Sequence, residues 1–225
     1  MKTNIYYFLF ISIFLISSLF AAESQVELIQ IQGGTINPIS AEYIISAIDE
    51  AEENESQCLI LELDTPGGLI AATQDIVKRM LASKIPLVVF VHPSGSGAVS
   101  AGVSITIAAH FAVMAPGTNI GAAHPVGAGK TDSSDVGVKK ATNWWATFNR
   151  SLADKRGRNA DWIEKAVRES ESITETQALE KNVIDFICPD LDSLLIILDG
   201  KIAEVDTGKV ILHTKNAKIV MLPKI

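Results

Sequence analysis

The apolar positions of this chain change their period repeatedly, and each change marks an element. Val26 to Ile31 reads as a strand until Gly33 and Gly34 break it. Ser40 then reads as the cap of a helix whose Ala41, Ile44, Ile45, Ile48 and Ala51 recur at helical spacing, with Asp49 to Glu55 as its solvated end. Cys58 to Leu63 has the run of a fully buried strand and ends in Asp64-Thr65-Pro66-Gly67-Gly68. Leu69, Ala72, Ile76, Val77 and Met80 give the next helix, and Pro86 opens a second buried strand from Leu87 to His92. The small-residue loop Pro93 to Gly97 leads into a predicted helix from Ala98 to His110, and Phe111 to Met114 is a third strand. A β-α-β-α-β order predicts an α/β fold with a mostly parallel sheet covered by helices.

Between Gly127 and Asp135 the pattern gives way to Gly, Lys, Thr, Asp and Ser, the composition of a mobile surface loop. Helices follow through Trp144, Trp145, Phe148 and Leu152, from Asp161 to Glu169, and from Thr174 to Glu180. Val183 to Cys188 reads as another strand and Asp192 to Leu198 as a short helix. The C-terminal stretch alternates as β-hairpins around Asp199-Gly200 and Thr207-Gly208. The N-terminus stands apart. After one lysine in Met1 to Asn4, Ile5 to Ala22 carries nothing more polar than serine and tyrosine, with small residues at Ala21 and Ala22. This predicts residues 1–22 to be an export signal, or an uncleaved membrane anchor, with a domain over 23–225 facing the outside of the membrane.

Composition narrows the chemistry. Nineteen Lys and Arg against 26 Asp and Glu give a net charge of -7, which repels a polyanion, so nucleic acid is not an expected partner. The two cysteines, Cys58 and Cys188, lie far apart and out of ligand spacing with the four histidines, so no metal site is expected and Cys58 reads as a buried thiol. Neither GxxxxGK[ST] nor GxGxxG occurs, and no cofactor is expected. Two glycine-rich strand-to-helix loops remain: Asp64 to Gly68, and Ser94 to Gly102. Backbone N–H groups at a helix start suit an oxyanion, with Gly67 and Ala101 as donors beside Ser100. Equally, glycines there can serve close packing alone. Ser94 and Ser96 read as turn-forming hydroxyls.

Leu63-Asp64-Thr65-Pro66-Gly67-Gly68, Ser100-Ala101-Gly102 and Met114-Ala115-Pro116-Gly117-Thr118-Asn119-Ile120-Gly121-Ala122-Ala123 together resemble the N-terminal protease domain of the NfeD family, over about residues 26–222. Members are membrane-bound serine proteases of the Clp protease class, encoded beside a stomatin-like protein. The resemblance implies a Clp/crotonase-type α/β fold, to which the alternation at the C-terminus adds a small β-hairpin region. It also implies a serine endopeptidase with a Ser-Lys dyad that cleaves apolar segments of a stomatin-like membrane partner. Carried over, the nucleophile falls on Ser100, the base on Lys140, and the oxyanion donors on Gly67, Gly68 and Ala101. A homo-oligomer, dimer or higher, is expected.

The residues bear on that base themselves. On a helix Lys140 shares a face with Trp144 and Phe148, whereas Lys139 shares one with Thr142, Asn143 and Ala146. Lys140 is therefore expected to be half-buried, where its charged form is disfavoured. His124 is a rival base or a substrate-groove residue, spaced from Ser100 much as serine and histidine are in the cytosolic Clp proteases. A histidine mechanism needs an acidic third member, and the matching position holds Ser170, between Glu169 and Glu171. A noncatalytic scaffold holding the stomatin-like partner in the same groove is the alternative function. An acyl-CoA enzyme of crotonase type would share the fold but conflicts with an export signal.

Overall fold

Polar caps at Asn37, Asn159, Thr174 and Asp190 start four of the helices, whereas those that follow Leu69 and Ser100 begin without a side-chain cap. A computed structural model describes residues 24–125 and 136–223. Strand β1 (Gln25–Gln32), helix α1 (Pro38–Glu53), β2 (Leu59–Asp64), α2 (Ile70–Leu81) and β3 (Leu87–Val91) make the first windings. Next come β4 (Gly97–Val99), α3 (Ala101–Ala108), β5 (Phe111–Met114) and β6 (Asn119–Gly121). The second half holds α4 (Val136–Lys155), α5 (Ala160–Arg168), β7 (Ser172–Thr174), α6 (Glu175–Glu180), β8 (Phe186–Ile187) and α7 (Leu191–Leu198). It closes with β9 (Ile202–Val205), β10 (Gly208–Ile211) and β11 (Lys218–Met221). The expected leader 1–22 and the whole expected mobile loop 127–135 lie outside the described residues.

The main sheet runs β11-β1-β2-β3-β5-β8, and every pairing in it is parallel. Alternation along its strands sorts the side chains onto two faces. Ile29, Ile31, Leu61, Leu63, Val89, Val91 and Met114 pack under the helices on one side. Val26, Leu28, Ile60, Val88, Phe90 and Val113 pack on the other against Leu194, Leu195 and Leu198 of α7 and Ala203 and Val205 of β9. Burial on both faces explains the nearly unbroken apolar strands. Cys58, just before β2, is fully buried, and burial pushes its thiol up to about 12.

Several sequence expectations need correction. Asn37, not Ser40, caps α1: its side chain accepts from the Ile39 and Ser40 amides, while Ser40 Oγ accepts the Asn37 N–H in a reciprocal capping box. The helix expected from Ala98 begins at Ala101, because Gly97–Val99 is drawn into pairing with β6 and Ala98 bridges Thr65. The strand expected over Val183 to Cys188 shrinks to Phe186–Ile187, since Asp185 turns its carboxylate to the Ala112 N–H and to Arg158. Asp206 and Thr207 do close a hairpin between β9 and β10. Asp199-Gly200 does not; it joins α7 to β9, and β11 returns to the main sheet beside β1.

Every residue of α3 is buried, which explains why its sequence is apolar all round. Its C-terminal carbonyls are held by arginines: Arg156 Nε donates to Ala108 at 2.9 Å, and Arg158 donates to Ile107 and Ala109 while pairing with Asp185. The opposite end of this helix carries Ser100.

Candidate active site

Ser100 sits at the elbow between β4 and α3. Its backbone has φ 54° and ψ -110°, a region that side-chain-bearing residues rarely adopt. The conformation is imposed from both sides. Its N–H donates to the Gly121 carbonyl at 3.1 Å, and its own carbonyl accepts the Val103 N–H at 3.0 Å. The side chain is half-buried, and its Oγ has no hydrogen bond among the described residues.

The loop after β2 crosses directly over this elbow. A Cβ built on Gly67 would lie 2.5 Å from Ser100 Cβ and 2.9 Å from Ser100 Oγ, and Gly67 has φ 115°, so only glycine fits. A Cβ on Gly68 would lie 1.9 Å from the Ile36 carbonyl oxygen. Thr65, buried, shapes the loop: Oγ1 donates to the Gly34 carbonyl at 2.7 Å and accepts the Gly67 N–H at 3.1 Å. The amide of Gly67, expected to face an oxyanion, is thus engaged inside its own loop. The Gly67 carbonyl and the Leu69 N–H both bond Ile36, so the intervening Gly68 N–H turns the other way, without a partner among the described residues. The N–H groups of Ala101 and Gly102 lie in the first turn of α3, ahead of any acceptor within that helix.

Lys140 lies near the start of α4 and is exposed, as is Lys139. The expected burial of Lys140 is not found. The core stripe of α4 runs through Thr142, Trp145, Ala146, Asn149, Leu152 and Ala153, whereas Trp144 is 47% exposed and Phe148 only half-buried. Of two adjacent tryptophans only Trp145 enters the core, so the face shared by Lys140, Trp144 and Phe148 looks outward. Phe148 stacks on Trp144 and Trp145 with centroids 5.8 and 5.1 Å away, and the two tryptophan rings lie tilted 5.6 Å apart. Lys140 makes no ion pair and no hydrogen bond to Ser100 among the described residues.

His124 follows β6, where the Ala122 and Ala123 amides donate to Glu171 and Ala166. Its Nδ1 lies 2.9 Å from the Val167 carbonyl, which can only accept, so Nδ1 carries the proton. That is the nitrogen a triad carboxylate would hold. Glu171 instead accepts from Trp162 Nε1, and Ser170 turns the chain at φ 58°. His124 forms one wall of a cavity of about 290 Å³ with Val138, Thr142, Asn143 and Arg168. Ser94 and Ser96 are turn residues: Ser94 Oγ donates to Pro116 and the Ser96 N–H to Pro93.

Sequence reasoning passed over a buried pair that ties the Ser100 helix to the Lys140 helix. Ser104 Oγ donates to Asn149 Oδ1 at 2.6 Å, and Asn149 Nδ2 donates to the Trp145 carbonyl. Both residues are fully buried. The available signal was a polar residue at a core position of each helix. Thr65 was similarly overlooked, although a threonine before Pro-Gly is a familiar backbone-bonding turn residue.

Known proteins resemble this chain in sequence and in fold. Membrane-bound protease PH1510 of Pyrococcus horikoshii is 40% identical over 146 residues, covering 64% of this chain and 33% of that protein. Membrane protein NfeD1b of Bacillus subtilis is 30% identical over 119 residues, covering 53% of this chain and 26% of that protein. The chain thus matches about a third or less of the length of these curated relatives. Among solved structures, a lysine-to-alanine mutant of the 1510-N membrane-bound stomatin-specific protease, in complex with a substrate peptide, matches with TM-score 0.82 at 32% identity, over 90% of this chain and 93% of that one. A serine-to-alanine mutant of the same protease gives TM-score 0.82 at 33% identity, over 90% and 99% of the two chains. The family model for the NfeD1b N-terminal domain matches residues 25–195, so the chain belongs to the NfeD family.

Proposed function

We propose that this domain is a serine endopeptidase that cuts apolar segments of a stomatin-like membrane partner, with Ser100 as its nucleophile. The observation that carries the reading is the elbow itself: a serine held at positive φ, packed on Gly67, at the head of a helix with unengaged amides. The relation to a stomatin-specific protease supports the substrate class. Ser100 Oγ attacks the scissile carbonyl carbon and its proton passes to Lys140. The oxyanion is met by the N–H groups of Ala101 and Gly68, with Gly67 supplying the close approach instead of a donor. Lys140 then returns the proton to the leaving amine, and water releases the acyl group from Ser100.

An exposed ammonium is no base, so in this reading the substrate completes the dyad. An apolar segment laid along Trp144 and Phe148 covers Lys140 and excludes water from it. His124 serves as groove wall. We further assign residues 1–22 to export or anchoring and 23–225 to the protease domain on the outer side of the membrane, working as a dimer or higher homo-oligomer. Incubation with an apolar peptide from a stomatin-like protein tests the activity: cleavage by the wild type and none by Ser100→Ala is expected. Binding without cleavage by both would leave the noncatalytic scaffold.

A further inference from the structure

At the end of the parallel strands remote from Ser100, where β2 and β3 begin, lies a groove of about 770 Å³. Its walls differ in character. One is the C-terminal end of α1, with Asp49, Glu52, Glu53 and Glu55. Arg79 answers Asp49 at 2.8 Å and Glu52 at 2.9 Å, but Glu53 and Glu55 are exposed and without an ion pair among the described residues. Lys84, the one cation in the wall, leans on Glu52. The opposite wall is β10, through Val210 and Ile211. Among the described residues only one edge of β10 is paired, to β9. Ile211 and its cross-strand neighbour Ile202 are 52% and 60% exposed, a bare apolar pair on a short hairpin. Ser56 also lines the groove, buried, with its Oγ unpartnered.

An open strand edge, an apolar pair and uncompensated carboxylates describe the complement of one ligand type. We infer that this groove docks an extended segment of a partner protein that alternates apolar and basic side chains, added as a strand to β10. Main-chain bonds to the open edge supply attachment, Ile211 selects apolar side chains, and Glu53 and Glu55 select lysine or arginine. An anionic membrane surface is disfavoured by the same two carboxylates. Ser24 Oγ donates to the carbonyl of His213, which lines the groove, so Ser24 lies at its rim. The inference stands independently of the chemistry at Ser100.

The test uses a fluorescent peptide alternating leucine and lysine, a glutamate-for-lysine counterpart, and the full chain carrying Ser100→Ala so that nothing is cut. Anisotropy should show the lysine peptide binding and the glutamate peptide not. Glu53→Lys with Glu55→Lys should weaken binding at least tenfold, whereas Asp154→Lys with Glu180→Lys, an equal charge change elsewhere on the surface, should alter it less than twofold. Should the reversals disturb folding, Glu53→Gln with Glu55→Gln gives the same ordering with smaller loss. The β10 amides should exchange more slowly with peptide bound. Equal weakening by both pairs of reversals, no weakening by either, or unchanged β10 exchange overturns the assignment, as does loss of binding after covalent modification of Ser100 in the wild type.

Discussion

At the scale of single residues, the backbone of Ser100 is the feature around which the site is organised. A side-chain-bearing residue at φ 54° costs about 1–3 kcal/mol relative to a relaxed conformer, a cost that glycine avoids. Replacing Ser100 by Gly is therefore expected to raise the melting temperature above that of Ser100→Ala, although both remove the hydroxyl; calorimetry on the two variants checks it. Gly67→Ala should be the damaging change, because its Cβ has no room beside Ser100. Much of this was legible: positions with strict backbone demands leave small residues in the sequence, and Gly67, Gly68, Ser100 and Ala101 all showed. The engagement of the Gly67 amide was not, since it depends on Thr65 being oriented by Gly34 and on Ile36 pairing with the loop, contacts made from a distant part of the chain.

Helix α4 carries the proposed base, and its orientation is where the sequence expectation and the structure part. Apolar periodicity offered two faces, one through Trp144 and Phe148 and one through Trp145 and Leu152, and only packing on α3 and α5 chooses between them. The Ser104 to Asn149 bond is part of that choice. Ser104→Ala strands the Asn149 side-chain oxygen in the core and should cost about 1–3 kcal/mol in urea unfolding. Adding Asn149→Leu should recover part of the loss, since an apolar pair leaves nothing unsatisfied. On the proposed dyad, Lys140→Ala abolishes cleavage, Lys139→Ala leaves it near normal and His124→Ala only weakens it. Full activity in Lys140→Ala with total loss in His124→Ala would replace the lysine by a histidine mechanism.

For the whole molecule, the winding order explains why the site exists where it does. Because β1, β2, β3 and β5 lie side by side in chain order, all parallel, the loops leaving β2 and β3 emerge next to each other, and Gly67 meets Ser100. That order was readable from alternating strand and helix patterns, whereas β4, β6 and β7 were too short to announce themselves. The other end of α3 carries a group that makes the fold sensitive to acid. His110, crowded by burial and then by Arg156 and Arg158, is held down to about 3, with Nδ1 accepting the Leu87 N–H. Between pH 6.5 and about 3 the unfolded chain takes up a proton that the folded chain refuses, so stability falls as pH falls through that window. Urea midpoints at pH 7 and pH 4.5 should separate more for the wild type than for His110→Leu, which in turn is less stable at pH 7. The proposal of a serine hydrolase meets its most direct test in a fluorophosphonate probe followed by mass spectrometry of the labelled chain. Label confined to Ser100 and absent from Ser100→Ala, alongside a fall in peptide turnover of about 10⁶ in that variant, is the predicted result. An unlabelled Ser100 in a folded chain that binds the apolar peptide without cutting it, or label on Ser96 instead, would contradict it.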